Sequence, residues 1–208
     1  MKAQFFDGFD FDNYKYSIVA VEYPERFFNI GDFGIIPAMF DESCIRGYTA
    51  IFSIDEDSRL VLTRLLTNNN HVTPPAIDGI EPVTFHSPAG VLKYELSHPM
   101  DYTGRIVIAN RFIQKYYVPF GFQLPHAFEK VFELSFEKGL FTHVEDRSLA
   151  AERLRIDYEA PIDVKSRVKN KVGTRWMKKS EDYGFDDSLI EQYMDLSYDT
   201  KYLFDELM

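Results

Sequence analysis

Apolar and polar positions alternate with a period of two in a series of short runs up to about residue 145, the spacing of strands with one buried face. The run Tyr16 to Tyr23 is rich in β-branched and aromatic residues and stops at Pro24, which has no N–H to give to a ladder, so it predicts a strand. Arg46 to Ile54 and Arg59 to Leu66 flank the polar tetrad Asp55-Glu56-Asp57-Ser58. Tyr48, Ala50, Phe52 and Ile54 share one parity, as do Leu60 and Leu62, and the pair predicts an antiparallel hairpin. Three more strands are predicted at Val91 to Leu96, Tyr102 to Ala109 and Phe112 to Val118, with turns at Ser97 to Asp101 and at Asn110-Arg111. The strongest alternation, Glu129 to Phe136 and Leu140 to Val144 around Glu137-Lys138-Gly139, predicts a second hairpin in which Gly139 takes a positive φ. Between Thr67 and Gly90, Asn68-Asn69-Asn70, Pro74-Pro75 and Asp78-Gly79 predict a long surface excursion.

After residue 145 the spacing becomes helical. Ser148 stands as an N-cap before Leu149 to Arg155. Ser188-Leu189-Ile190-Glu191 fits a capping box, with Leu189, Ile190, Tyr193, Met194 and Leu196 on one side, and Asp199 caps a last helix carrying Tyr202, Leu203 and Leu207. The expected protein is therefore mainly β, a β-rich α+β chain. Residues 1–145 form an antiparallel sheet that curls into a barrel or pairs into a sandwich to cover its apolar face, and residues 146–208 form a helical extension packed on it.

Composition narrows this picture. At 208 residues, one domain or one domain with a tail is expected. The hydrophobic share of 45% against 27% charged residues excludes a wholly disordered chain, and 19 Phe and 13 Tyr add weight to the β assignment. No apolar run approaches the ~20 residues of a membrane span and no signal-like stretch follows Met1, so a soluble, cytoplasmic protein without membrane contact is expected. The single cysteine, Cys44, rules out an internal disulfide and a cysteine-built metal site, which suits a reducing compartment.

The net charge of −10 is unevenly distributed: −9 over residues 1–164, +7 over 165–180 and −8 over 181–208. An acidic body repels phosphates at long range, so nucleic acid is not the expected partner. In the basic segment Lys165, Arg167, Lys169 and Lys171 alternate with Ser166, Val168, Asn170 and Val172. That order puts charges on one side of an extended strand and valines on the other, a parity Trp176 continues. Three explanations follow, in order of preference. The first is an edge strand whose lysines block sheet-to-sheet association. The second is contact with the acidic C-terminal helices. The third is a docking strip, Lys165, Arg167, Lys169, Lys171 and Arg175, for an acidic partner or RNA, which the −17 of the remaining chain opposes.

Arg46-Gly47-Tyr48-Thr49-Ala50, Ile54, Leu60-Val61-Leu62, Tyr102-Thr103-Gly104-Arg105-Ile106-Val107-Ile108, Tyr116 to Phe122 and Val131-Phe132-Glu133-Leu134 together resemble a group of small uncharacterised bacterial proteins. The resemblance covers about residues 44–145. Where those proteins often carry tryptophan, near the Arg-Gly-Tyr element and in the strand after it, this chain has Cys44 or Ile45, and Phe52. It implies a shared strand scaffold and no particular chemistry.

No phosphate-cradling glycine loop, Gly-x-Ser-x-Gly elbow, His-Glu-x-x-His helix or EF-hand spacing is present. His71, His86, His98, His126 and His143 lack ligand-like spacing and read as loop or turn histidines, with no metal or cofactor expected; a metal site would need His71, His86 and His98, within or beside the long excursion, to converge with a carboxylate such as Asp78 or Asp101. Cys44 reads as a small buried apolar residue at a strand start. Tyr48, Tyr102, Arg105, Tyr116, Tyr117, His126 and Glu129 form a candidate ligand-binding set, able to hold a small anion through Arg105 and the phenols if the sheet brings them to one open end. The plainer reading, which the pattern favours, is cross-strand aromatic pairs with hydroxyls at the rim. The leading functional expectation is a non-catalytic binding or inhibitor protein, immunity-like, that masks a basic partner protein with an acidic, aromatic-rich surface. The alternative is a small-molecule-binding protein or hydrolase with a pocket at an open end of the sheet.

Overall fold

The computed structural model describes residues 3–70, 72–117 and 121–159. The basic segment 165–180 and the helices expected from Ser188 and Asp199 lie outside them. The described strands are β1 (Gly8–Phe11), β2 (Tyr14–Val21), β3 (Tyr48–Ile54), β4 (Leu60–Thr67), β5 (Val83–Ser87), β6 (Gly90–Pro99), β7 (Gly104–Phe112), β8 (Phe128–Glu137) and β9 (Leu140–Asp146), followed by helix α1 (Ser148–Glu159). They build one nine-stranded sheet in the order β5-β6-β4-β3-β1-β2-β7-β8-β9.

The protein is mainly β, as the alternation implies, but the sheet is mixed and not wholly antiparallel. Strand β1 lies between β2 and β3 and runs parallel to β3, with Phe9 beside Phe52. Its four residues, Gly8-Phe9-Asp10-Phe11, contain two poor strand formers, so no pattern announces it. It reaches β2 through Asp12 and Asn13 at φ 48° and 63°, the left-handed pair a tight hairpin requires. The expected barrel does not close. One isolated bridge, Arg59 to Leu140, brings the start of β4 against the start of β9, and no ladder joins the two strands.

Other boundaries also move. Strand β6 runs through His98 and Pro99, and β7 runs through Asn110 and Arg111, both expected as turns. The strand expected at 112–118 is instead a 3₁₀ turn at Gln114–Tyr116. Strand β5 arises inside the 67–90 excursion, between Pro82 and Pro88. The asparagines there are structural: Asn68 Oδ1 accepts from Ala38 N at 2.9 Å while its Nδ2 donates to Ala89 O at 2.9 Å, and Asn69 Oδ1 accepts from Ile36 N at 2.8 Å. The fully buried Tyr94 donates to Pro75 O at 2.8 Å, and burial pushes its phenol up to about 12.

Strands as far apart as β6 and β8 contribute to one core. Phe9, Ile18, Ala50, Phe52, Leu60, Leu62, Leu65, Tyr94, Ile106, Ile108, Leu134 and Phe136 pack together, so the sheet must curl around this face. Phe27, Ile30 and Ile35 from the β2–β3 connection complete it. The opposite face carries a smaller cluster in which Ala20, Ala109 and Ala127 leave room for Ala151 of α1. Ser148 is not the helix cap: Asp146 Oδ1 accepts the Ser148 N–H at 2.8 Å, while Ser148 Oγ accepts from Val131 N at 3.1 Å and ties the helix to β8.

Candidate functional site

The seven residues singled out as a ligand set occupy three places. Tyr102 and Arg105 meet at the start of β7. The buried Tyr102 hydroxyl donates to the carbonyls of Glu22 and Arg105, and burial followed by the Glu22 charge drives its pKa far upward. Arg105 is engaged by Glu22, Nε to Oε2 at 3.0 Å and Nη2 to Oε1 at 3.2 Å, and lies 3.7 Å from Glu133. The Glu22 hydrogen bonds hold the Arg105 guanidinium above its ordinary pKa. At the far end of β7, about 23 Å away at 3.3 Å per residue, Tyr116 meets the buried His126 edge-on at 5.8 Å and Tyr117 packs on Phe112. Glu129 is exposed at the start of β8. Tyr48 lies at the start of β3 beneath Arg46, whose guanidinium carbon is 4.5 Å from the ring centre. The basic strip lies outside the described residues.

Arg46 belongs to a buried pair that sequence reasoning missed. Its Nη1 and Nη2 contact the Asp7 carboxylate at 3.0 and 2.5 Å, and Asp7 Oδ1 also accepts the Ala50 N–H at 2.7 Å. Asp7 is 3% exposed, so this clamp holds the N-terminal segment to β3. Beside it Cys44 is buried, donates to Tyr48 O at 3.3 Å, and has its thiol pKa raised by burial. A hollow of about 350 Å³ along Ala3–Gly8, Tyr16 and Ser17 has only Asp7 as a charged wall, and Arg46 already neutralises it.

The stronger candidate is a cleft of about 450 Å³ between the β2–β3 connection and the end of β6. Tyr23 at φ 56° turns the chain out of β2 into the 3₁₀ turn Pro24–Arg26, and Phe27 is drawn into the core at 4.7 Å from Phe52 and 5.1 Å from Tyr102. Asn29 then caps a second 3₁₀ turn, Ile30–Phe33, accepting from Gly31 N at 3.0 Å. The result is an aromatic wall of Phe27, Phe28 and Phe33 with Glu25, Asn29 and Asp32 on its rim. Across from it stand His98, Pro99, Met100 and Asp101. Asp78 comes from the tight turn Ile77–Ile80, where it takes φ 50° and Gly79 φ 78°, and its Oδ2 lies 2.8 Å from His98 Nδ1. The imidazole edge also meets the Phe33 ring at 5.0 Å.

The cleft thus gathers four carboxylates, Glu25, Asp32, Asp78 and Asp101, around one arginine and one histidine. Arg26 is 3.6 Å from Glu25, Asp32 accepts from Asn29 Nδ2 at 3.0 Å and Asp78 faces His98, whereas Asp101 is exposed with no ion-pair partner among the described residues. Such a cleft offers an apolar floor for an alkyl or guanidinium stem and a negative rim for its charge. Among the described residues no group of three or more His, Cys, Asp or Glu side chains is arranged to hold a metal ion, and no helix is long and apolar enough to cross a membrane. Comparison of the chain with models of known protein families, with curated proteins and with solved structures found no match.

Proposed function

We propose that this is a non-catalytic cytoplasmic binding protein, inhibitor-like or immunity-like in action, that docks a basic surface of a partner protein on its acidic aromatic cleft. The observation that carries the reading is the cleft itself: four carboxylates rim Phe27, Phe28, Phe33 and Met100. Aromatic floors supply anchor energy in protein interfaces, and complementary potential raises the association rate and selects the partner. Membership of the group of small bacterial proteins that the sequence resembles is proposed on the same footing, from residues of which Tyr48–Ala50 and Ile54 lie on β3, Leu60–Leu62 on β4, Gly104–Ile108 on β7 and Val131–Leu134 on β8. The test is capture of a partner from the cells that make the protein, repeated across salt concentration. Retention of one basic protein that weakens steeply between about 50 and 500 mM salt supports the reading; absence of any stoichiometric protein partner contradicts it.

A second reading draws on the His98–Asp78 pair. A histidine oriented by a carboxylate in a cleft of ligand-binding size is also the equipment of a small-molecule site or hydrolase. That reading places the pocket at the end of β6 and not at Arg105, whose guanidinium faces Glu22. Saturable binding of small cationic amines, abolished by His98→Ala, would favour it over the first.

A further inference from the structure

The two edges of the sheet are finished differently. Strand β9 is met at its start by the β3–β4 turn, Leu60 N to Gly139 O and Phe141 N to Ser58 O at 2.8 Å each, and it ends on the acids Glu145 and Asp146. Strand β5 has β6 on one side and, among the described residues, no strand on the other. An open edge is a template for a further strand, and charged side chains on it are a common deterrent. Residues 83–87, Val-Thr-Phe-His-Ser, contain no lysine, arginine or acid. Val83 and Phe85 are 53% and 45% exposed, so the strand also offers an apolar surface.

A second copy of the chain fits this edge. The net charge of −10 makes two copies repel over most approaches. Beside β5 the charges cancel: Lys93 and Arg64 each contact Glu95, at 3.0 and 3.1 Å, and Glu81, two positions before the strand, makes two acids against two bases. Pro82 and Pro88 bound the strand and confine pairing to the five residues between them. An antiparallel two-fold centred on those five residues sets Phe85 opposite Phe85 of the copy, Thr84 opposite His86 and Val83 opposite Ser87. No like charges then stand opposite each other. Val83, Phe85 and Ser87 share one face, on which Lys93 lies beside Val83 in register and 5.1 Å from the centre of the Phe85 ring. The paired rings are thus flanked by one Lys93 from each copy.

We propose that two copies of this chain associate through β5, joined antiparallel across a two-fold axis at Phe85 into one continuous sheet. This interface is independent of the cleft and leaves its reading untouched. A five-residue edge buries less than the ~800 Å² per partner of a standard interface, so the association is weak and shows between about 10 and 500 µM. It is tested by sedimentation equilibrium of the full chain over that range, with Phe85→Lys, Phe85→Glu and an equimolar mixture of the two variants. Phe85 is a half-exposed surface residue, so both variants are expected to fold, which equal thermal unfolding checks. The expected result is a native monomer–dimer equilibrium weakened at least about tenfold in each variant alone, where like charges meet at the axis, and restored to within about threefold in the mixture. A native chain that stays monomeric throughout overturns the proposal. Association that both variants keep assigns the contact to another surface, and a mixture no stronger than either variant alone removes the two-fold at Phe85; either result overturns it equally.

Discussion

The start of β7 and the cleft beside it handle charge in opposite ways. Along the outer face, Glu22, Arg105, Glu133, Arg147 and Glu145 form a ladder in which acid and base alternate, with Arg105 between Glu22 and Glu133 and Arg147 between Glu133 at 3.3 Å and Glu145 at 2.9 Å. In the cleft, Glu25 faces Arg26 and Asp78 faces His98, Asp32 and Asp101 have no ion-pair partner among the described residues, and the rim is exposed. The first arrangement is closed: each guanidinium already faces a carboxylate, and an added ligand would have to displace one. The second retains negative potential, which is what a surface offers to a partner that is not yet there. Charges that serve the fold are compensated within the chain, and those of the cleft rim are left over, as the proposed encounter requires.

The largest separation of the two kinds is expected at the buried clamp. Arg46→Ala leaves Asp7 charged and enclosed, and should lower unfolding stability by about 3–5 kcal/mol in denaturant titration. Next is the ladder: Arg105→Ala removes the partner of Glu22 and one of the two cations facing the 5%-exposed Glu133, with an expected loss of about 1–3 kcal/mol. In the cleft the opposite holds. Asp32→Asn and Asp101→Asn each relieve like-charge crowding at an exposed rim and should leave stability within about 0.5 kcal/mol of the native value, while weakening partner capture. An equal loss of stability at Asp101 and Arg105 would erase the distinction.

The smallest effect is a pH dependence. Burial alone would raise the carboxyls of Asp146 and Glu95. Hydrogen bonds from Ser148, with the Lys130 ammonium, outweigh it at Asp146, and Arg64 with Lys93 outweighs it at Glu95, so both lie below the ordinary carboxylate range. A depressed folded pKa means stability that is fully present above the unfolded carboxylate pKa and lost as pH falls through the folded value. Asp146→Asn should therefore flatten the acid limb of a stability–pH curve below about pH 4, by a modest amount because the group is half exposed. A curve of unchanged slope would remove Asp146 from that account.

The hairpins were legible in the chain because alternation and turn chemistry agree there. Asp55 Oδ1 accepts the N–H groups of Asp57 and Arg59, and Lys138 with Gly139 takes the left-handed pair at φ 49° and 78°. Strand β1 was not legible, because its place is set by pairing with β3 across 43 positions and not by its own four residues. Nor was β5, masked by the prolines around it. The cleft escaped for a related reason: Glu25, Asp32, Asp78 and Asp101 come from three separate connections whose proximity is a product of the curled sheet. Tyr102, Arg105 and His126 drew attention by residue type, yet Tyr102 and His126 are buried and Arg105 is occupied by Glu22. The usable signal for the site was the acidic residues in the turns flanking predicted strands, beside Phe27-Phe28 and Phe33.

The central proposal is that the carboxylates of the cleft, Asp32 and Asp101 above all, recruit a basic protein. It is tested most directly by measuring the dissociation constant of the captured partner against the native protein and against Asp32→Lys/Asp101→Lys, with Arg105→Ala as the control from the closed ladder. The account predicts a loss of at least a hundredfold for the double reversal at unchanged fold and less than a threefold change for the control. Native affinity in the double reversal, or a larger loss in the control, would contradict it.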